Sequence, residues 1–178
     1  YFPMEVGLEW VGTKYRYKNL QKEEINNVLT TRRAADWRGD KDPWFETEAD
    51  FYTNDDKGLR VHATINSNGT FDIFSNPVKI LNAVVSPGDS ITNNIQIYNI
   101  SGRLKYTVVS IADTITVPAG TYHNCIKLTE EVLDTGCADG HEKKYVWLAP
   151  NIGKVKVRNL DGTDCGIFWE TEELIEAP

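Results

Sequence analysis

Val117-Pro118-Ala119-Gly120-Thr121-Tyr122 is a corner between two apolar runs, and it dictates how the second half of the chain must travel. Proline holds φ at about −65° and glycine is free to take positive φ, so the pair makes a tight reversal. The run that follows, Asn124-Cys125-Ile126-Lys127-Leu128, must lie back along the run before it. Tyr122, Ile126, Leu128 and Val132 form its buried face, with His123, Cys125, Lys127 and Thr129 opposite.

From there the chain reads as one antiparallel meander. Residues 134–140 turn, 141–149 return, and Pro150-Asn151-Ile152-Gly153 turns again. Lys154-Val155-Lys156-Val157-Arg158 has the cleanest period of two in the sequence. Asp161-Gly162-Thr163-Asp164 makes the last turn before 166–175.

The first half follows the same grammar of short alternating runs and turn clusters. Residues 7–18 alternate as a half-buried strand. A turn at Asp55-Asp56-Lys57-Gly58 joins 44–53 to 59–65, where Leu59, Val61, Ala63 and Ile65 share one face. Asn66-Ser67-Asn68-Gly69 turns into 70–74, and Pro77 ends that strand. Residues 78–85 run to Ser86-Pro87-Gly88-Asp89. Ser101-Gly102 reads as a hairpin between 91–100 and 103–113. The apolar phase slips in the second of these, which places a β-bulge near Val108. Residues 20–37 fit two patterns: a helical stripe of Leu20, Glu24, Ile25, Val28, Leu29 and Arg32, or a strand through Val28-Leu29-Thr30-Thr31. The balance tips to strand, with one short helix near residues 20–35 left open.

A chain of 178 residues suits a single all-β domain spanning 1–178, and burial of roughly 70% of the unfolded surface. The expected architecture is an antiparallel meander curled into a half-barrel or sandwich. The net charge of −7 argues against nucleic acid as a partner, because that needs a basic footprint. No apolar run reaches the ~18 residues of a membrane-spanning segment. A start at Tyr1-Phe2-Pro3 reads as a processed or trimmed end.

Three stretches carry a resemblance: 117–128, then Tyr145-Val146-Trp147-Leu148-Ala149-Pro150-Asn151-Ile152-Gly153-Lys154-Val155, then Glu173-Leu174-Ile175. They resemble a family of uncharacterised bacterial envelope domains, many of them predicted lipoproteins, with the pattern "VPAGTF…C.KV", "YYAPGVGLVK", "ELISY". The likeness is close over the last third and loose at residues 1–10. It implies an all-β fold and an exported, extracellular or cell-envelope location, and no activity.

Cys125, Cys137 and Cys165 are an odd set, which in an exported protein suggests one disulfide and one free thiol. In an up-and-down strand order the turns bearing Cys137 and Cys165 fall at one end of the sheet, while Cys125 lies mid-strand. The expected bridge is Cys137–Cys165, closing a loop of about 28 residues and stabilising by about 3–4 kcal/mol.

No nucleophile elbow, zincin helix or phosphate loop is present. His123, Cys125, Cys137, His141 and Cys165 lack an established zinc spacing. The turn aspartates match no calcium loop. Glu130-Glu131 and Glu172-Glu173 are adjacent strand residues, read as solvated. Arg38-Gly39-Asp40 reads as a chance tripeptide, and Asn68 and Asn99 sit in glycosylation acceptor patterns. Five tryptophans point first to core and interface packing. No catalytic residue, metal ligand or cofactor is expected.

The functional expectation is a non-catalytic structural subunit that self-assembles or binds another envelope protein, with homo-oligomers in view. Tyr1, Phe2, Pro3 and Met4 are its candidate assembly segment, because an apolar tetrapeptide is costly to leave in water. If that segment packs on its own domain instead, a monomeric binder results. The competing expectation is a carrier or sensor with an apolar ligand or lipid in the concave face.

Overall fold

Strand after strand is joined where Gly, Asn, Asp and Pro cluster, and the sum is one long antiparallel sheet. The computed structural model describes residues 2–13, 15–37, 48–97, 100–133, 141–160 and 172–178. Twelve strands run through them: β1 (Glu9–Gly12), β2 (Tyr15–Ile25), β3 (Val28–Trp37), β4 (Glu48–Asp55), β5 (Gly58–Ile65), β6 (Phe71–Leu81), β7 (Ser90–Ile97), β8 (Ile100–Val117), β9 (Gly120–Leu133), β10 (His141–Ala149), β11 (Gly153–Asn159) and β12 (Glu172–Glu176). No helix occurs among the described residues.

The strand order is β6-β5-β4-β3-β2-β1-β12-β11-β10-β9-β8-β7. Each half of the chain is thus its own meander, and β1 joins β12 in the middle, with Val11 opposite Glu176 and Gly12 opposite Leu174. The sheet curls until it is nearly closed, like a barrel, with β6 and β7 at the seam. Among the described residues no backbone ladder crosses that seam. The Asn93 side chain bridges it instead: Oδ1 accepts the Lys79 N–H at 2.8 Å and Nδ2 donates to the Lys79 carbonyl at 3.0 Å.

The all-β expectation holds, and 20–35 are the end of β2, a two-residue turn and the start of β3, with no helix. Asn26 and Asn27 take φ of 48° and 61°, and Ile25 pairs with Val28. Two successive positive φ values make the tight turn whose twist matches a hairpin. The apolar stripe at helical spacing is divided between the two faces of two strands.

Several boundaries differ from expectation. Ile97 pairs with Ile100, so Ser101-Gly102 lies inside β8 and Gly102 faces Ile95. Pro77 does not end its strand: β6 runs through it, as an edge strand allows. The register slips between Phe51 and Tyr52, so Phe51 pairs with Ala63 but Tyr52 with Val61. That slip puts Leu59 and Val61 inside while Ala63 packs with Ile25 and Phe51 on the outer face. The slip expected near Val108 is present between Val108 and Ser110, and two more follow it. Asn124, with φ of 56°, rotates Cys125 out of the solvent-facing set and buries it fully.

The interior ties the halves together. Leu59 and Leu81 of the first meander pack with Val108, Ile126, Leu128 and Val146 of the second. Each such buried aliphatic side chain contributes about 1.5–3 kcal/mol. The β8–β9 tip reaches β12, where Ala119 N–H donates to Leu174 O at 3.1 Å.

Candidate functional site

The inner face of β2, β3 and β4 is polar where a barrel core is ordinarily apolar. Asn19 pairs with Arg33, and Arg33 with Asp50; Thr31 pairs with Lys22 on one side and Tyr52 on the other. Alternation along each strand therefore sends Asn19, Thr31, Arg33, Asp50, Tyr52 and Asn54 to one surface.

Arg33 is the centre of this surface, with only 8% of it exposed. Its guanidinium carbon stands 4.0 Å from the Phe2 ring centre and 4.1 Å from that of Trp10. Nε donates to Asn19 Oδ1 at 3.1 Å, while Nη2 has no hydrogen-bond partner among the described residues. Burial lowers its pKa to about 10, against the opposing pull of Tyr52, Tyr17 and Asp50. Opposite it, Asp50 accepts a hydrogen bond from Tyr52 Oη at 2.8 Å. Burial pushes the Asp50 pKa up, partly offset by its bonds to Tyr52 and Thr64 and by the charges of Lys154 and Arg33.

A second polar group lies toward β12. Tyr17 Oη donates to Glu172 Oε2 at 3.1 Å and accepts from Lys154 Nζ at 2.9 Å. Lys154 is 3.5 Å from the same carboxylate. Burial, then Glu172, holds the Tyr17 phenol well above its ordinary pKa. A cavity of about 10 Å³ borders Tyr17, Lys154 and Glu172, room for one water and no organic ligand. The Tyr17 phenol stays protonated at neutral pH and donates its hydrogen bond to Glu172.

Across this surface lies the N-terminal segment, and its main-chain carbonyls take the bonds. Asn54 Nδ2 donates to Phe2 O at 2.9 Å. Asn19 Nδ2 donates to Pro3 O at 3.2 Å and to Glu5 O at 2.9 Å. Lys22 Nζ and Thr31 Oγ1 both donate to Met4 O, at 3.1 and 3.2 Å. Phe2 is buried, and Tyr52 packs on its ring at 5.0 Å between centres.

The candidate assembly residues Phe2, Pro3 and Met4 therefore meet their own chain; Tyr1 lies outside the described residues. Cys137 and Cys165 also lie outside them. Cys125 is a free thiol, and burial, then Asp113, raises its pKa. His123 is exposed and bonded to Thr114 at 3.1 Å, well apart in environment from buried Cys125. Arg38-Gly39-Asp40 and Asn99 fall outside the described residues. Asn68 Oδ1 accepts from the Thr70 N–H and hydroxyl. Glu172, expected in solvent, is buried. Arg33, Asp50 and Tyr52 were not singled out by the sequence; the signal was the strand alternation Thr31, Arg33, Ala35 against Asp50, Tyr52, once 20–37 is read as strand.

A family model described as "Protein of unknown function (DUF3108)" matches residues 31–162. The chain belongs to the DUF3108 family. In this DUF3108 protein the matched span holds Arg33, Asp50, Tyr52 and Lys154, while Phe2, Trp10 and Glu172 lie beyond it. Two solved structures are similar to it. One is a predicted lipoprotein from Parabacteroides distasonis ATCC 8503, 17% identical, covering 99% of this chain and 97% of that one, with a TM-score of 0.44. The other is a predicted exported protein with a YmcC-like fold from Bacteroides fragilis NCTC 9343, 16% identical, covering 100% and 98%, with a TM-score of 0.46. No curated protein matches the DUF3108 chain. No helix among its described residues is long and apolar enough to cross a membrane.

Proposed function

We propose that residues 1–178 act as one non-catalytic domain, exported or held in the cell envelope, that works by binding a partner along the open edge of its sheet. The observation carrying this reading is the seam. β6 is an edge strand whose outer side, among the described residues, takes its hydrogen bonds from the Asn93 side chain, and its Phe71 and Ile73 are 45% and 47% exposed. An unpaired strand with apolar side chains at alternate positions is a template for strand addition, from a second copy or another envelope protein. The location rests on the motif resemblance at 117–128 and 145–155. The absence of catalysis is supported by phenols held protonated and by a Cys125 thiol that is buried with a raised pKa.

The test is sedimentation of the full chain over a hundredfold concentration range, beside a Phe71→Lys, Ile73→Lys double variant. Concentration-dependent association that the variant abolishes supports the reading. A monomer throughout, with no partner recovered by cross-linking in cell envelopes, overturns it.

A second reading has its own observation. Arg33, buried with an Nη2 that has no partner among the described residues, suits the head of an anionic amphiphile whose chain would displace Phe2 from the apolar interior, which would make the protein a carrier or sensor. Saturable binding of laurate, lost in Arg33→Gln, would favour it.

A further inference from the structure

The segment at residues 2–5 is held in an unusual way. Four successive carbonyls, of Phe2, Pro3, Met4 and Glu5, each accept from a side chain of the sheet, and the donors are Asn54, Asn19, Lys22 and Thr31. These donors address main-chain atoms, which every peptide has. Side-chain choice enters where Phe2 lies against the Arg33 guanidinium and the Tyr52 ring, and where Met4 packs on the apolar core. Main-chain bonds for affinity and pockets for alternate side chains are how extended peptides are recognised.

The segment is also separable from the sheet. It forms no strand, and among the described residues the backbone is next held where Gly7 N–H donates to Asn19 O at 2.7 Å. Gly7 takes φ of +92°, a left-handed bend open to solvent, and Glu5 and Val6 are exposed. A glycine bend between a bound segment and the first strand is a hinge, because glycine can move to extended φ at little steric cost.

We propose that Asn19, Lys22, Thr31 and Asn54, with the ring-walled pocket at Arg33, are a peptide-binding groove, and that its partner in trans is residues 2–5 of a second copy of this chain. The same donors meet the same carbonyls whichever molecule supplies them, so exchange about Gly7 changes no contact within the groove. Such an exchange is a low-cost route to dimers. It uses a site on the inner face of β2–β4, separate from the β6 edge, and stands or falls independently of it.

The cis segment competes with any peptide in trans, so weakening it must sharpen trans binding. The probe is a fluorescein-labelled hexapeptide with the sequence of Tyr1 to Val6, titrated into full-length protein and read by anisotropy. Expected is weak binding to the unmodified chain and at least tenfold tighter binding to full-length Phe2→Ala. Replacing the phenylalanine of the peptide by alanine should remove the gain. Thr31→Val and Lys22→Met added to Phe2→Ala, where the cis segment no longer competes, should weaken peptide binding at least fivefold relative to Phe2→Ala alone. Equal binding of a scrambled peptide, or no gain in Phe2→Ala that circular dichroism shows to be folded, overturns the proposal. If Phe2→Ala does not fold, the milder Phe2→Leu takes its place, and no gain in peptide affinity there overturns the proposal.

Discussion

Asn93 on β7 completes the hydrogen bonding of Lys79 on β6, taking its N–H at 2.8 Å and its carbonyl at 3.0 Å. The amide presents a donor and an acceptor side by side, as a strand backbone does. Asn93→Ala should therefore cost about 1–3 kcal/mol, the price of two backbone groups left without partners. Asn93→Asp should cost a similar amount, since a carboxylate cannot donate to the carbonyl. Urea unfolding of the two variants measures this, and amide exchange should quicken at Lys79 first.

Arg33 is buried with no ion pair among the described residues, and two stacked rings return only part of the lost hydration. Arg33→Met, of similar length and apolar, should raise stability by about 1–2 kcal/mol. A fall in the urea midpoint would show that the ring contacts outweigh the buried charge.

Alkali should unfold the protein with a definite sign. Burial raises the pKa of Tyr17, Tyr52 and Tyr106 well above 10, and that of Tyr15 to about 12. Above pH 10 the unfolded chain has shed phenol protons that the folded chain retains, so stability falls as pH rises. Absorbance at the phenolate band should show a group of tyrosines that titrate only as the ellipticity collapses.

Gly58 closes the β4–β5 turn at φ +99°, and an added Cβ would run into the Leu81 carbonyl of β6. Gly58→Ala combines left-handed strain with a backbone clash and should cost about 3 kcal/mol or more. Thermal melts of this variant beside Gly69→Ala, where the same φ region is open to solvent, separate the clash from the strain.

Cys125 should be unreactive to a thiol reagent in the folded protein and react at once in denaturant, because it is fully buried. A Cys137–Cys165 bridge predicts one reactive thiol per chain in non-reducing denaturant. Its reduction should cost about 3–4 kcal/mol. Three reactive thiols would exclude the bridge.

Local chemistry made much of the fold legible. Asp55-Asp56-Lys57-Gly58, the Ser86-Pro87-Gly88-Asp89 cluster and Val117-Pro118-Ala119-Gly120 reverse the chain because their residues permit few other conformations. Asn26-Asn27 carries the same kind of signal, yet the apolar residues around it also satisfy a helical period, and only pairing across the sheet decides. The slip opposite His62 is invisible locally, since it answers to register with β4. Arg33 and Glu172 look like surface residues because charge is read as solvated until a partner 23 or more residues away covers it, as Trp10 and Phe2 cover one and Tyr17 the other. The interior site is made by distant segments, and single-strand alternation says nothing of which side becomes the inside.

The meeting of β1 and β12 in the middle of the sheet sets an order of events during synthesis. The first six strands pair only with sequence neighbours, apart from the free side of β1, so that meander can assemble without waiting for the second. The second six can do the same. What remains is the zip of Val11 to Glu176 and Gly12 to Leu174, the strand pairing of widest sequence separation among the described residues, and it cannot form until residues 174–176 are made. Until then the first meander waits as a half-shell whose apolar lining, Leu59 and Leu81 among it, faces water. The interval before that zip is when the chain is most exposed to pairing with the wrong partner, and truncations near residue 174 should aggregate, not merely lose stability.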